Sequence, residues 1–333
     1  MRTSFRTSWS GVAATLACLA AGHAQAQYAY GSDVSWTDQE EASGYTFKSA
    51  AGVKTDPFVL LKGLGINAVR LRVWVNPTGG WNNGADDLYM AKRAIAQGQR
   101  VLIDFHYSDS WADPGTQTIP AQWTDHSLSA LETQVYNHTY SILNYLKSNG
   151  VTVSWVQVGN EINSGMLWPT GKVSGTTGFA NLAGLINSGY SAAKAVFPSA
   201  PVIVHLANGY DDATFRWFFD NLKAQGGKWD VIGMSHYPST GNWSTLNPEI
   251  GTTMADVASR YGSSVMVCET GLPWDSAATA QSMITDLIGR NKSLGSKGLG
   301  VFYWEPEAYP GWQNYTLGAV NASGQFTAAM NAF

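Results

Sequence analysis

Two glutamates draw the first attention because of where the chain delivers them. Glu161 lies in VQVGNEINSG (Val156–Gly165), where a short apolar run stops abruptly at Gly159-Asn160-Glu161. Glu269 follows a similar run in VMVCET (Val265–Thr270). A carboxylate at the end of a buried strand is costly unless it is paired, protonated or used. Two of them facing each other across a cleft can cleave a glycosidic bond. One, protonated, assists the leaving oxygen, and the other, ionised, attacks the anomeric carbon. Asn160 and an apolar wall around Trp155 should raise the pKa of Glu161. An arginine of the second run and the hydroxyl of Tyr237 should hold Glu269 as an anion. The expected roles are therefore Glu161 as acid/base and Glu269 as nucleophile.

Such a pair needs a frame that brings distant strand ends together. Eight apolar runs recur: Tyr30–Val34, Ala68–Val73, Arg100–Phe105, Trp155–Gly159, Val202–His205, Val231–Met234, Ser264–Cys268 and Gly300–Tyr303. Stretches with helical spacing separate them, among them Pro57–Gly65, Leu88–Gln99, Thr133–Gly150, Phe179–Pro198 and Thr279–Gly295. Alternating strand and helix implies a parallel sheet with right-handed crossovers, and eight units imply a single closed (β/α)8 TIM barrel. Polar residues gather where the runs end: Asp33, Arg70 and Arg72, Asp104 and His106, Asn160 and Glu161, His205, His236 and Tyr237, Glu269, Trp304 and Glu305. That is the face on which barrels build their sites. His205 carries no motif of its own and reads as a satisfied buried histidine.

Composition narrows the partner. Charged residues make up 13% of the 333, the net charge is −4 and no basic block occurs, which argues against nucleic acid. Trp and Tyr are abundant, at 14 and 15. Flat rings stack on pyranose faces, so a low-charge, ring-rich surface suits a polysaccharide. Trp111, Trp274 and Trp304, close to strand ends, are the expected sugar-facing rings, with Trp312 a further wall of a curved cleft. Arg2 and Arg6, the apolar stretch Trp9–Ala21 and Ala24-Gln25-Ala26 read as a secretory signal peptide over residues 1–26, leaving a catalytic barrel over 27–333. A secreted monomer is expected, extracellular or periplasmic. The alternative is a lipoprotein anchored through Cys18 in Thr15-Leu16-Ala17-Cys18. No later run is long enough to span a bilayer. Cys268 then stands as the sole mature cysteine, a small buried hydrophobe rather than a thiol nucleophile.

The motifs resemble a known family. Asn-Glu ending the fourth strand and Glu ending the seventh look like the clan of retaining (β/α)8 glycosidases. Within it, Leu61–Pro77, Asp104–Trp123, Val156–Pro169, Ser235–Gly241, Cys268–Trp274 and Val301–Trp312 resemble glycoside hydrolase family 53, the arabinogalactan endo-β-1,4-galactanases. HYSDSWADPG with NEINSGMLWP carries most of that specificity. The resemblance implies internal cleavage of β-1,4-galactan with retained configuration. It also implies that Asn160 bonds the sugar 2-hydroxyl and that Arg70 sits near the nucleophile while Arg72 binds substrate. His236 and Tyr237 would flank the nucleophile, and Trp304 would floor the subsite of the cleaved sugar. Asp33, Asp104 and His106 would form a polar network beneath it. Other retaining endo-glycanases, a β-mannanase or endoglucanase, share both glutamates. A non-catalytic glycan-binding barrel would have lost one.

No cofactor is expected, and no metal. Some relatives bind calcium in a long loop after the seventh strand, but here Leu272–Ala280 is short and holds one acid, Asp275, too few for a hard cation. Without the cysteines that pin this region in other relatives, apolar packing should hold the loop. Asp86, Asp87, Asp211 and Asp212 are the remaining candidates for weak ion contacts.

Overall fold

The computed structural model describes residues 27–333, besides Met1; the signal-peptide and Cys18 readings lie outside the described residues. Eight parallel strands close in sequence order: β1 (Ala29–Asp33), β2 (Ala68–Val73), β3 (Arg100–Phe105), β4 (Val153–Val158), β5 (Val202–Leu206), β6 (Val231–His236), β7 (Ser264–Thr270) and β8 (Gly298–Trp304). β1 bonds to both β2 and β8, which completes the expected TIM barrel. Helices α1 (Thr37–Ala42) and α2 (Pro57–Gly63) precede β2. Then α3 (Gly84–Ala96), α4 (Leu128–Ser148), α5 (Phe179–Val196), α6 (Asp212–Ala224), α7 (Trp243–Tyr261) and α8 (Ala277–Lys292) alternate with the later strands. After β8 a 3-10 turn, Ala328–Ala332, takes the place of a closing α-helix, and its Ala329 and Met330 complete the core.

The period-two alternation of strands sorts every side chain inward or outward. On β2, Val69, Leu71 and Val73 pack outward under the helices, while Ala68, Arg70 and Arg72 face the barrel axis. The lower interior is apolar: Ala29, Leu102, Trp155, Ile203, Met266, Cys268 and Phe302 fill it. Gly31 is required there, because a Cβ would lie 2.2 Å from the Phe302 ring. The apolar plug carries a layer of charge above it, at the carboxyl ends. Trp155 thus belongs to the floor plug, not to a wall beside Glu161, because three further residues of β4 and the turn lie between them.

One irregularity matters for chemistry. β6 and β7 pair Met234 with Val267 and then Ser235 with Glu269, so Cys268 is an extra residue on β7. By alternation Cys268 faces inward and Glu269 would face the helices. The bulge re-aims Glu269 into the barrel.

Candidate active site

Arg70 is the hub. Fully buried on β2, its Nη1 donates to Asp33 Oδ2 at 2.7 Å, and its Nη2 to Asp104 Oδ2 at 2.8 Å and Asn160 Oδ1 at 2.9 Å. Nη2 also lies 2.9 Å from Glu269 Oε1, and Nε donates to Gln157 Oε1 at 3.2 Å. Register explains the gathering, since Asp33 pairs with Arg70 across β1 and β2, and Asp104 with Gln157 across β3 and β4. Burial pushes the Asp104 carboxyl up, but Arg70 and then His106 pull it below the ordinary range. His106 is held neutral chiefly by burial. Its Nε2–H donates to Asp104 at 2.9 Å, leaving Nδ1 to accept from Trp74 Nε1 at 3.2 Å and the Ala112 amide at 3.3 Å.

Glu161 and Glu269 open onto one cavity of about 320 Å³, with His106, Trp111, Ala112, Asp113, Asn160, Tyr237, Trp304, Tyr315 and Leu317. Glu269 is held on both oxygens, by Arg70 and by the Tyr237 hydroxyl, which donates to Oε2 at 3.0 Å. Burial raises its pKa, and Arg70 opposes that most strongly. Among the described residues no cation pairs with Glu161. Burial, and then the charge of Glu269, push it up to about 8. When two carboxyls share a cavity and one touches a guanidinium, the proton resides on the other. Glu161 is also backbone-strained, at φ 47°, as are Tyr107 (52°) and Glu305 (47°) after β3 and β8. Left-handed non-glycine residues at three strand ends mark the face where side chains are turned toward a site.

The aromatic wall is interlocked. Trp304 meets Trp36 at 5.1 Å, Tyr315 at 4.8 Å and Trp111 at 5.9 Å between ring centroids, all edge to face. The Arg72 guanidinium lies 4.4 Å from the Trp111 ring and donates to Glu305 Oε1 at 3.0 Å. Arg72 is 1% exposed and does not reach the cavity. Its position argues against the expected substrate contact, because Trp111 caps it. His236 is displaced too. Alternation puts Ser235 and Tyr237 inward and His236 outward, where its Nε2 meets Asn247 Oδ1 of α7 at 2.9 Å. Trp274 and Trp312 do not line the cavity; Trp312 packs edge-on against Tyr45 at 5.4 Å. Asp33, Arg70, Asp104, His106, Trp111, Asn160, Tyr237 and Trp304 do converge with the two glutamates.

Residues beyond the expected set complete the network. Gln157, His205 and Ser235 line the polar layer below Glu161, and Tyr315 and Trp36 buttress Trp304. Inward parity on β5, with Ile203 in the plug, was the available signal for His205. Nothing in the pattern singled out Gln157. The loop after β7 is held by apolar packing, with Leu272 and Ala280 in the core, and also by hydrogen bonds: Tyr303 Oη reaches the carbonyls of Leu272 (3.2 Å), Leu317 (2.9 Å) and Gly318 (3.1 Å), and the Trp274 amide donates to Thr316 O at 3.1 Å. Among the described residues no group of three or more His, Cys, Asp or Glu is arranged to hold a metal. Asp211 instead caps α6 through the Thr214 amide, Asp212 pairs with Arg216, and Asp86 accepts from the Asn82 amide. No described helix is long and apolar enough to cross a membrane.

Known proteins match the chain over most of its length. Residues 29–333 match the model of glycosyl hydrolase family 53. A probable arabinogalactan endo-β-1,4-galactanase A of Neosartorya fischeri is 35% identical over 321 residues, 89% of this chain and 88% of that protein. The arabinogalactan endo-β-1,4-galactanase of Thermothelomyces thermophilus is 34% identical, over 88% and 95% of the two chains. A fungal β-1,4-galactanase structure superposes with a TM-score of 0.84 at 32% identity, covering 92% of this chain and 99% of that one. A family 10 endo-β-1,4-xylanase, at TM-score 0.59 and 17% identity, shares the fold alone.

Proposed function

The chain belongs to glycosyl hydrolase family 53, and from that premise we propose that it is an endo-β-1,4-galactanase acting on arabinogalactan by double displacement. Glu269 attacks the anomeric carbon while Glu161 protonates the departing oxygen; Glu161, then ionised, draws a proton from water that releases the glycosyl-enzyme. The carrying observation is the asymmetry of the pair. Glu269 has Arg70 and Tyr237 on its two oxygens, whereas Glu161 opens onto the same cavity with no cation touching it among the described residues.

The remaining roles follow from position. Asn160 is anchored by Arg70 on its oxygen and by the Ala112 carbonyl on its nitrogen, which fixes its amide at the cavity edge for the sugar 2-hydroxyl. Asp33 and Asp104 orient Arg70, and His106 braces Asp104. Trp304 and Trp111 offer faces for stacking. No observation favours the mannanase or endoglucanase reading. Export through the segment preceding residue 27 and a monomeric barrel over 27–333 belong to the same proposal.

The test is reducing-end release on β-1,4-galactan beside cellulose, mannan and xylan, with the anomer of the first product followed by NMR. Internal cleavage of galactan giving β-product first is expected. A first-formed α-product would remove the double displacement, and equal rates on mannan or cellulose would remove the galactan assignment.

A further inference from the structure

Directly beneath Glu161 lies a hydrogen-bond chain whose direction is set by one backbone amide. Arg70 Nε donates to Gln157 Oε1, so the amide orientation of Gln157 is set and its Nε2 is the donor end. Gln157 Nε2 lies 3.0 Å from His205 Nδ1, and the backbone amide of Glu161 points at the same nitrogen at 3.4 Å. The Glu161 amide hydrogen, aimed at Nδ1, makes that nitrogen an acceptor. Gln157 Nε2 has two hydrogens for three acceptors, since it also faces Gly159 O at 3.1 Å and Asn160 Oδ1 at 3.2 Å, and Asn160 Oδ1, itself 3.0 Å from Nδ1, accepts from Arg70 at 2.9 Å. His205 is fully buried, and burial first, then Arg70, keep it neutral. A neutral imidazole with an accepting Nδ1 carries its hydrogen on Nε2. That hydrogen faces Ser235 Oγ at 2.9 Å. The Ser235 oxygen is then the acceptor, and its own proton is free to turn to the remaining neighbour, the Glu161 carboxyl.

We propose that Ser235, oriented by His205, is a positioning residue for the acid/base: it donates to the Glu161 carboxylate in the state left after the proton has gone to the leaving group. The inference rests on the reading of Glu161 as acid/base. Its physical content is that the anion forms opposite Glu269 and near Asp113, with Arg70 turned to the far wall. The Tyr237 hydroxyl is engaged with Glu269, and neutral His205 supplies no charge. Ser235 is the hydroxyl left to receive the new charge on Glu161. The same His205 holds the Glu161 amide, so one imidazole fixes both ends of the catalytic side chain. The strained backbone at Glu161, φ 47°, has its restraint here.

The test is the pH profile of kcat/KM on galactan for Ser235→Ala, a substitution that removes one oxygen from a buried site and leaves His205 in place. Loss of a hydrogen bond to the anion should move the basic limb, which reports Glu161, upward by about half to one pH unit. The acidic limb, which reports Glu269, should stay. His205→Ala should move the same limb in the same direction and lower kcat more than it raises KM, because Glu161 loses its amide anchor; circular dichroism and Tm establish that it folds. A uniform fall at every pH, or both limbs unmoved in Ser235→Ala, would overturn the proposal. Glu161→Ala run in parallel separates the two levels. If it abolishes the basic limb while Ser235→Ala leaves that limb in place, the positioning claim alone fails. If it keeps the limb, the acid/base assignment fails.

Discussion

At the scale of single residues, the chemistry was legible where a side chain could be read from the end of its strand, and misread where strand parity was overlooked. Glu161, Asn160 and the Arg70 hub follow from motif and alternation. Arg72 shares the parity of Arg70 but ends beneath Trp111, a contact made by a distant loop. His236 was recoverable, since parity with Tyr237 sends it outward. Glu269 is the opposite case: strict alternation sends it toward the helices, and the bulge at Cys268 brings it in. The roles of the pair are separable experimentally. Glu269→Ala should abolish turnover of every substrate, because no covalent intermediate forms. Glu161→Ala should retain intermediate formation from an aryl galactoside with a good leaving group, and azide should restore turnover with retained configuration. Azide rescue that instead gave the inverted product in the Glu161 variant would exchange the two assignments. In the wild type, kcat/KM should decline above about pH 8 as Glu161 loses its proton.

At the scale of elements, strands were the most legible part: the eight apolar runs agree with β1 to β8 to within two residues at every end, because buried parallel strands show as continuous apolar segments. Loops were less so, since which tryptophan faces the cleft depends on contacts between loops. Trp111 is 38% exposed and lines the cavity, whereas Trp274 and Trp312 do not line it. Trp111→Ala should therefore lower kcat/KM on galactan at least about tenfold, as loss of a stacked ring worth about 1–3 kcal/mol implies. Trp274→Ala should change it less than about threefold on the same grounds. Equal losses would return Trp274 to the cleft. The loops after β7 and β8 are tied together by the Tyr303 hydroxyl, which reaches carbonyls of both. Tyr303→Phe leaves the ring in the core and removes that tie, at a cost of about 1–2 kcal/mol. A Tm lowered by a few degrees is expected, and an unchanged Tm would mean that apolar packing alone holds the pair.

At the scale of the whole molecule, the barrel sets its charged layer on an apolar plug, and burial of several carboxyls couples the fold to pH. Glu40 is pushed up to about 8 by burial first, against the Tyr309 amide that bonds its Oε1 at 2.9 Å. Asp86 and Glu305 are raised to about 7, again mainly by burial. In the unfolded chain such groups titrate near about 4. Between that value and 7 to 8 the folded state binds more protons than the unfolded one, so stability falls as pH rises. Their contribution is complete below the unfolded pKa and is lost as pH passes through the folded values. Asp104 works the other way: its carboxyl is depressed, and its contribution is lost only in strong acid. The two trends together place greatest stability on the acidic side of neutral. Tm at about pH 5 should exceed Tm at about pH 9 by several degrees. Glu40→Gln keeps an acceptor for the Tyr309 amide but cannot ionise, so it should narrow the gap by raising Tm at the alkaline end. If Glu40→Gln lowers Tm equally at both pH values, the alkaline loss has another origin than this buried carboxyl.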